Sequence, residues 1–86
     1  MKEYLSILGH EVRDRVTGFK GVATTVGFDL YGCVQVIVSQ PGLNEKGEMK
    51  PGAWFDFKRL VIESNAPVMA QPAFVSVAGG YDKPLR

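Results

Sequence analysis

The sequence holds one cysteine (Cys33), one histidine (His10) and one tryptophan (Trp54). A lone cysteine closes no disulfide within the chain, which excludes a small secreted fold stapled by bridges. One histidine and one cysteine make no zinc site without carboxylates or a second chain, so no metal or cofactor is expected. Nucleophile–base chemistry would have to pair Cys33 with His10, and nothing in the sequence pushes Cys33 toward a thiolate. An ordinary packed or half-packed thiol is the simpler expectation, with His10 at the surface where a strand begins. Asp14, Asp29 and Asp56 are scattered, and no pair has a spacing that forces general acid–base geometry. Gly18-x-x-Gly21 lacks the lysine–hydroxyl pair and following helix of a phosphate-binding loop.

Charge of one sign is also missing. Ten basic and nine acidic residues leave a net charge of +1, which supplies no strong field for a phosphate backbone or an anionic membrane. No apolar run approaches the roughly 20 residues that span a bilayer. Residues 1–9 are too short and too acidic for a signal peptide. A soluble cytoplasmic protein without a membrane partner is expected.

Glycine and proline, by contrast, are plentiful: ten and five, falling between the apolar runs. That pattern favours short strands joined by tight turns over long helices. The length suits one domain, 1–86, and a monomer of this size buries only about 60–65% of its unfolded surface.

Residues 1–8 fit a helical turn or an extended lead-in equally well. His10 to Val16 alternates with period two, which places Val12 and Val16 on one face and Glu11, Arg13 and Arg15 in solvent. Asp14 falls on the valine face, where backbone N–H groups or the Thr17 hydroxyl at the turn ahead are its expected partners. Thr17-Gly18 turns the chain, and Gly21 marks a bulge or a strand crossing. Val22–Val26 is β-branched and reads as the second strand. Phe28–Gly32 is a connecting loop. Residues 33–39 form the clearest strand, with Val34, Val36 and Val38 facing the core and Ile37 on the other face, where something should cover it. Gln40-Pro41 ends it. Residues 42–52 suit the tip of a long hairpin, and residues 53–57 return with Phe55 and Phe57 on one face and Trp54 and Asp56 on the other. Lys58-Arg59 suits a single tight turn before a last strand at 60–63. Beyond Ser64 the chain is proline-punctuated, then alternates again at Phe74-Val75-Ser76-Val77.

The pattern Val12-x-Asp14-x-x-Thr17-Gly18-x-x-Gly21, then Leu30-x-Gly32-Cys33, Gln40-Pro41 and Trp54-Phe55-Asp56 resembles short uncharacterised proteins from bacteriophage genomes and mobile integron gene cassettes. It covers about residues 9–63. The resemblance implies an all-β fold, a small SH3-like barrel of about five strands, and it implies no activity; residues 64–86 lie outside it and are expected to form an extended C-terminal tail. Residues 12–26 are also similar to the barrel modules of ribosomal proteins and transcription factors. Val34-Gln35-Val36-Ile37 half matches the Val-Gln-Ile-Tyr signature of the plasmid- and cassette-borne dihydrofolate reductases, which are tetramers around a central pore. Here the tyrosine is missing and the register differs, and fold analogy alone carries no function.

Surface recognition is what remains. Phe28, Tyr31 and Trp54 are candidates for an aromatic patch that would suit a peptide, a small ligand or a stacked base. Phe28 and Trp54 serve equally well as caps on the open end of a barrel, whereas Tyr31 is expected to be exposed. Arg13, Arg15 and Lys20 form a basic strip along the first hairpin, interrupted by Glu11, and a solvated strip is its plainest meaning. Ile37 and the tail residues Phe74, Val75 and Val77 are candidates for an interface between copies. These features lead to a non-enzymatic binding module acting as a homo-oligomer. Single-stranded nucleic-acid binding through Arg13, Arg15, Lys20 and Tyr31 is the alternative. An enzyme assembled around a pore would instead need a polar cavity lined by Gln35, Tyr31 or Asp29.

Overall fold

Five strands form within residues 2–72, the part of the chain that the computed structural model describes. They are β1 (Glu11–Asp14), β2 (Lys20–Phe28), β3 (Val34–Ser39), β4 (Ala53–Asp56) and β5 (Leu60–Ile62). One turn of α-helix, α1 (Lys2–Leu5), precedes them, and a 3₁₀ turn (Phe57–Arg59) joins β4 to β5. All pairings are antiparallel, in the order β4-β3-β2-β1-β5. The all-β, five-strand expectation therefore holds. Among the described residues the two edge strands pair only inward, so hydrogen bonds do not close the sheet into a ring.

Alternation sets the register. Val36 and Val38 are fully buried, and their neighbours across the ladders are Val26 and Ala23 on β2 and Phe55 and Ala53 on β4. Those residues line the inner face with Val12 and Leu60. Val34 is only half-buried, at the mouth of the sheet. Burying a valine or leucine side chain stabilises by about 1.5–3 kcal/mol, so this cluster dominates the stability of so small a chain. Ile7 joins the core from the lead-in. Its apolar neighbours at 4, 5 and 8 gave no period from which that burial follows.

β2 is the longest strand and the one that bends. Its register with β3 shifts between Ala23 and Thr25, and a bulge of this kind increases local twist. Its first half pairs with both β1 and β3. A Cβ on buried Gly21 would collide with the Ser39 carbonyl oxygen and lie 2.9 Å from Val38 Cγ1. Gly21 is thus the crossing point and not the bulge itself.

Val16 corrects the sequence reading: it is 72% exposed. β1 ends at Asp14, because the chain turns there. Thr17 donates its N–H (2.9 Å) and its hydroxyl (2.5 Å) to Asp14 Oδ2, and Gly18 N–H reaches the Asp14 carbonyl. The alternation that carries Val12 inward stops two residues before Val16.

Residues 64–72 contain neither helix nor strand but fold back along the lead-in. Val68 N–H donates to the Gly9 carbonyl at 2.8 Å, and the Gln71 amide donates to the carbonyls of Ser6 and Leu8. The interface candidates Phe74, Val75 and Val77 lie outside the described residues.

Candidate recognition face

Asp14 shows how thoroughly one end of the sheet is satisfied. Its carboxylate is fully buried and takes a forked pair from Arg59, Nε to Oδ1 at 2.8 Å and Nη2 to Oδ2 at 2.7 Å. The Arg59 guanidinium holds the Asp14 carboxyl well below the usual carboxylate range; burial opposes it, and Thr17 and the Val16 N–H assist. Planar two-point pairing of this kind is the strong form of a charged hydrogen bond. Arg59 also lies 5.3 Å from the centre of the Phe55 ring. The sequence indicates the Thr17 partner, but nothing in it links residues 14 and 59. This constellation holds the fold together and leaves the carboxylate no free face for chemistry.

The opposite end of β2 is open. Gly27, Gln35, Ile37, Trp54 and Asp56 share the outer face, because Gln35 pairs with Gly27 and Asp56, and Ile37 pairs with Thr25 and Trp54. The Trp54 ring reaches back across β3 toward β2. A Cβ on Gly27 would sit 3.4 Å from its Cη2 and Cζ3 atoms. Trp54 as a whole is 53% exposed. Beside it is a cleft of about 190 Å³ lined by Gly27, Phe28, Asp29, Cys33, Gln35 and Trp54. Asp29 shapes the cleft's rim by accepting the N–H groups of Tyr31 and Cys33, both at 2.9 Å, on one carboxylate oxygen. The charge of Asp29, with a contribution from desolvation, pushes the Cys33 thiol up. It therefore favours the protonated thiol over the nucleophilic thiolate.

The three candidate aromatics part company here. Phe28 pairs with Val34 and belongs to the inner face, where it packs edge-on against Tyr4 with ring centres 6.0 Å apart. Tyr4 in turn meets Phe57 at 4.8 Å. Such pairs contribute about 0.5–1.5 kcal/mol beyond area burial, and they make Phe28 part of the plug at the mouth of the sheet. Phe28 still lines the cleft with Trp54. Tyr31 is 87% exposed, as expected, and is not among the residues lining the cleft.

The basic residues lie at the far end. Lys20 and Phe28 bound β2, a separation of roughly 26 Å at about 3.3 Å per residue. Arg13 pairs with Lys20 across the ladder, and its Nε bonds Glu63 at 2.7 Å. The Arg13 guanidinium pulls the Glu63 carboxyl down. Arg15 is exposed in the turn. His10 is half-buried instead of surface-lying, with Nδ1 3.2 Å from both oxygens of Ser64. It is thereby anchored beside Ala23, whose N–H its carbonyl accepts, several β2 residues from the loop that carries Cys33.

No helix among the described residues is long and apolar enough to cross a membrane. Comparison with known proteins finds no family model, curated protein or solved structure that matches this chain.

Proposed function

We propose that this protein is a non-enzymatic interaction module of the cytoplasm that assembles as a homo-oligomer through the outer face of β2, β3 and β4. The observation that carries this is Trp54, half-exposed and laid across the sheet beside Ile37. Tryptophan anchors of this kind contribute most where an interface excludes water around them. The face around the ring is composed of Thr25, Gly27, Gln35 and Ile37, with the carboxylates Asp56 and Asp29 at its edges, so the centre of the patch brings no charge to desolvate. A net charge of +1 adds little repulsion between copies. In a twofold dimer the same patch is used twice, and each Trp54 packs on its partner's sheet. The resemblance to mobile-element proteins belongs to the same proposal.

Single-stranded nucleic-acid binding has less support, because Arg13 is engaged by Glu63 and Lys20 lies at the other end of β2 from the aromatic cleft. A pore enzyme also has less support. Gln35 shares its face with Trp54, and an Asp29 oxygen already accepts two backbone N–H groups.

Trp54 is the only tryptophan, so its emission reports the face directly. Sedimentation velocity at micromolar concentration is expected to show a dimer or larger species, with emission shifting to the blue as concentration rises. Trp54→Lys is expected to sediment as a monomer. A monodisperse wild-type monomer with concentration-independent emission would refute the proposal. Titration with a mixed-sequence oligonucleotide at low salt separates the alternative: tight, salt-sensitive binding abolished by Arg15→Glu would favour it.

A further inference from the structure

The cleft beside Trp54 has a chemistry that packing of one sheet face on another does not use. Its volume of about 190 Å³ is below the roughly 300–1,000 Å³ of a site for a drug-sized ligand, so it has room for one side chain or headgroup. Two of its walls, Trp54 and Phe28, are aromatic and about half exposed. Two others, Asp29 and Gln35, carry oxygen acceptors and are exposed. Asp29 is held in place without being used up. Both of its backbone bonds, from Tyr31 and Cys33, end on Oδ1, and a carboxylate offers about four lone-pair sites. The loop therefore fixes its orientation before any ligand arrives, and Oδ2 keeps its capacity to accept. Asp56, the ladder neighbour of Gln35, is anchored in the same way by the Lys58 N–H on Oδ1.

The Cys33 thiol registers the sign of the field in the cleft. It is pushed up first by the charge of Asp29, then by desolvation, with Asp56 adding to the effect and Lys58 opposing it. The carboxylates prevail, so the cleft is negative on a chain whose net charge is +1. Among the described residues no three His, Cys, Asp or Glu side chains gather closely enough to hold a metal ion. A negative recess with aromatic walls suits an organic cation, and tryptophan is the ring that attracts one best. The acceptors decide which cation. A quaternary ammonium has no N–H to give Asp29 or Gln35, whereas a guanidinium has five and stacks flat on an aromatic face. We propose that the cleft binds the guanidinium of an arginine side chain presented by a partner, stacked against Trp54 and hydrogen-bonded to Asp29. The site lies within one chain, so it requires Trp54 in place but not self-association.

The test titrates the full chain with N-acetyl-arginine amide, with its citrulline counterpart (the same shape, with a neutral urea) and with choline. Trp54 emission is read at nanomolar protein, where dilution disfavours any dimer. The arginine derivative is expected to give a saturable change, and citrulline to bind on the order of tenfold more weakly or less. Asp29→Asn keeps an oxygen for the Tyr31 and Cys33 N–H groups while removing the charge. It should retain the unfolding midpoint and lose binding by a similar factor. Equal binding of arginine and citrulline, no saturable change with arginine, or undiminished binding by Asp29→Asn overturns the inference. Choline binding as tightly as the arginine derivative overturns it too, since that result makes the N–H groups irrelevant. Self-association is read from protein concentration and this site from added cation. A dimer that ignores arginine therefore refutes only this inference, and a monomer that binds arginine refutes only the proposed assembly.

Discussion

The two ends of β2 are built on opposite principles. At the Lys20 end the buried polar groups are answered from within. Asp14 is held by Arg59 and Thr17, and Gly21 is pressed against the backbone of β3. At the Phe28 end the sheet carries its one tryptophan on the outside, over a glycine and beside a cleft. A buried carboxylate held by a two-point ion pair fixes geometry but offers nothing to a partner. A half-exposed aromatic ring leaves apolar area that a partner can still remove from water. The contrast is the ground for placing the proposed interface at the Phe28 end, and one substitution made at both ends tests it most sharply.

The largest effect is expected from Gly21→Ala. Neither Gly21 nor Gly27 has a positive φ, so space and not backbone strain decides the outcome. The new methyl at Gly21 would meet the Ser39 backbone and Val38, and backbone cannot swing aside as a side-chain tip can. Overpacking of this kind costs about 1–3 kcal/mol, and rigid backbone on one side puts Gly21→Ala near the top of that range. Urea unfolding should show a loss of about 3 kcal/mol, a large share of the 5–15 kcal/mol typical of a whole domain. A loss below about 1 kcal/mol would mean that the Gly21 end yields as readily as the Gly27 end.

Acid is the second way to strain the closed end. Asp14 has its carboxyl pKa lowered in the folded protein, so between its folded and unfolded values the unfolded chain binds more protons. Its contribution is fully present above the unfolded value, about 3.9 for an aspartate, and is lost as pH falls below that. Glu63 acts in the same direction through Arg13, but from the surface, where solvent screens it. Wild-type stability is therefore expected to decline steeply below about pH 4. Asp14→Asn should be less stable at neutral pH and much flatter in acid. Parallel curves for the two proteins would show that Asp14 is not the titrating group.

How much of this was legible in the sequence depended on distance along the chain. Val36 and Val38, the Thr17-Gly18 turn, the Gln40-Pro41 stop and the tight turn at Lys58-Arg59 all follow from neighbours two to four residues apart. The Asp14–Thr17 bond spans three residues and was expected, whereas the Asp14–Arg59 pair spans 45 and no local pattern predicts it. Val16 failed because the Asp14 carboxylate, by capturing Thr17, ends the strand that the alternation extends. For the aromatics, residue parity along β2 and β4 sends Phe28 inward and Trp54 outward, so the two meet only at the cleft, and Tyr31 is not part of it. The pairing of Trp54 with Gly27 crosses a whole strand, and it becomes visible only once β2 and β4 are known to flank β3.

The smallest effect should come from Gly27→Ala, the same chemical change six residues further along β2. Its methyl would lie 3.4 Å from the Trp54 ring, an ordinary contact with the movable end of a side chain. Stability should change by less than about 0.5 kcal/mol, the usual range for a surface position. Gly27→Val goes further, because its two additional methyl groups leave the ring no room to lie flat, although a β-branched residue suits a strand. The ring must rise into water. Trp54 emission should shift to the red, and self-association should weaken on the order of tenfold, with the unfolding midpoint little changed. If Gly27→Val instead destabilises the fold as much as Gly21→Ala does, the ring is fixed in place. Trp54 would then be packing that the fold requires, and the two ends of β2 would differ in degree and not in kind.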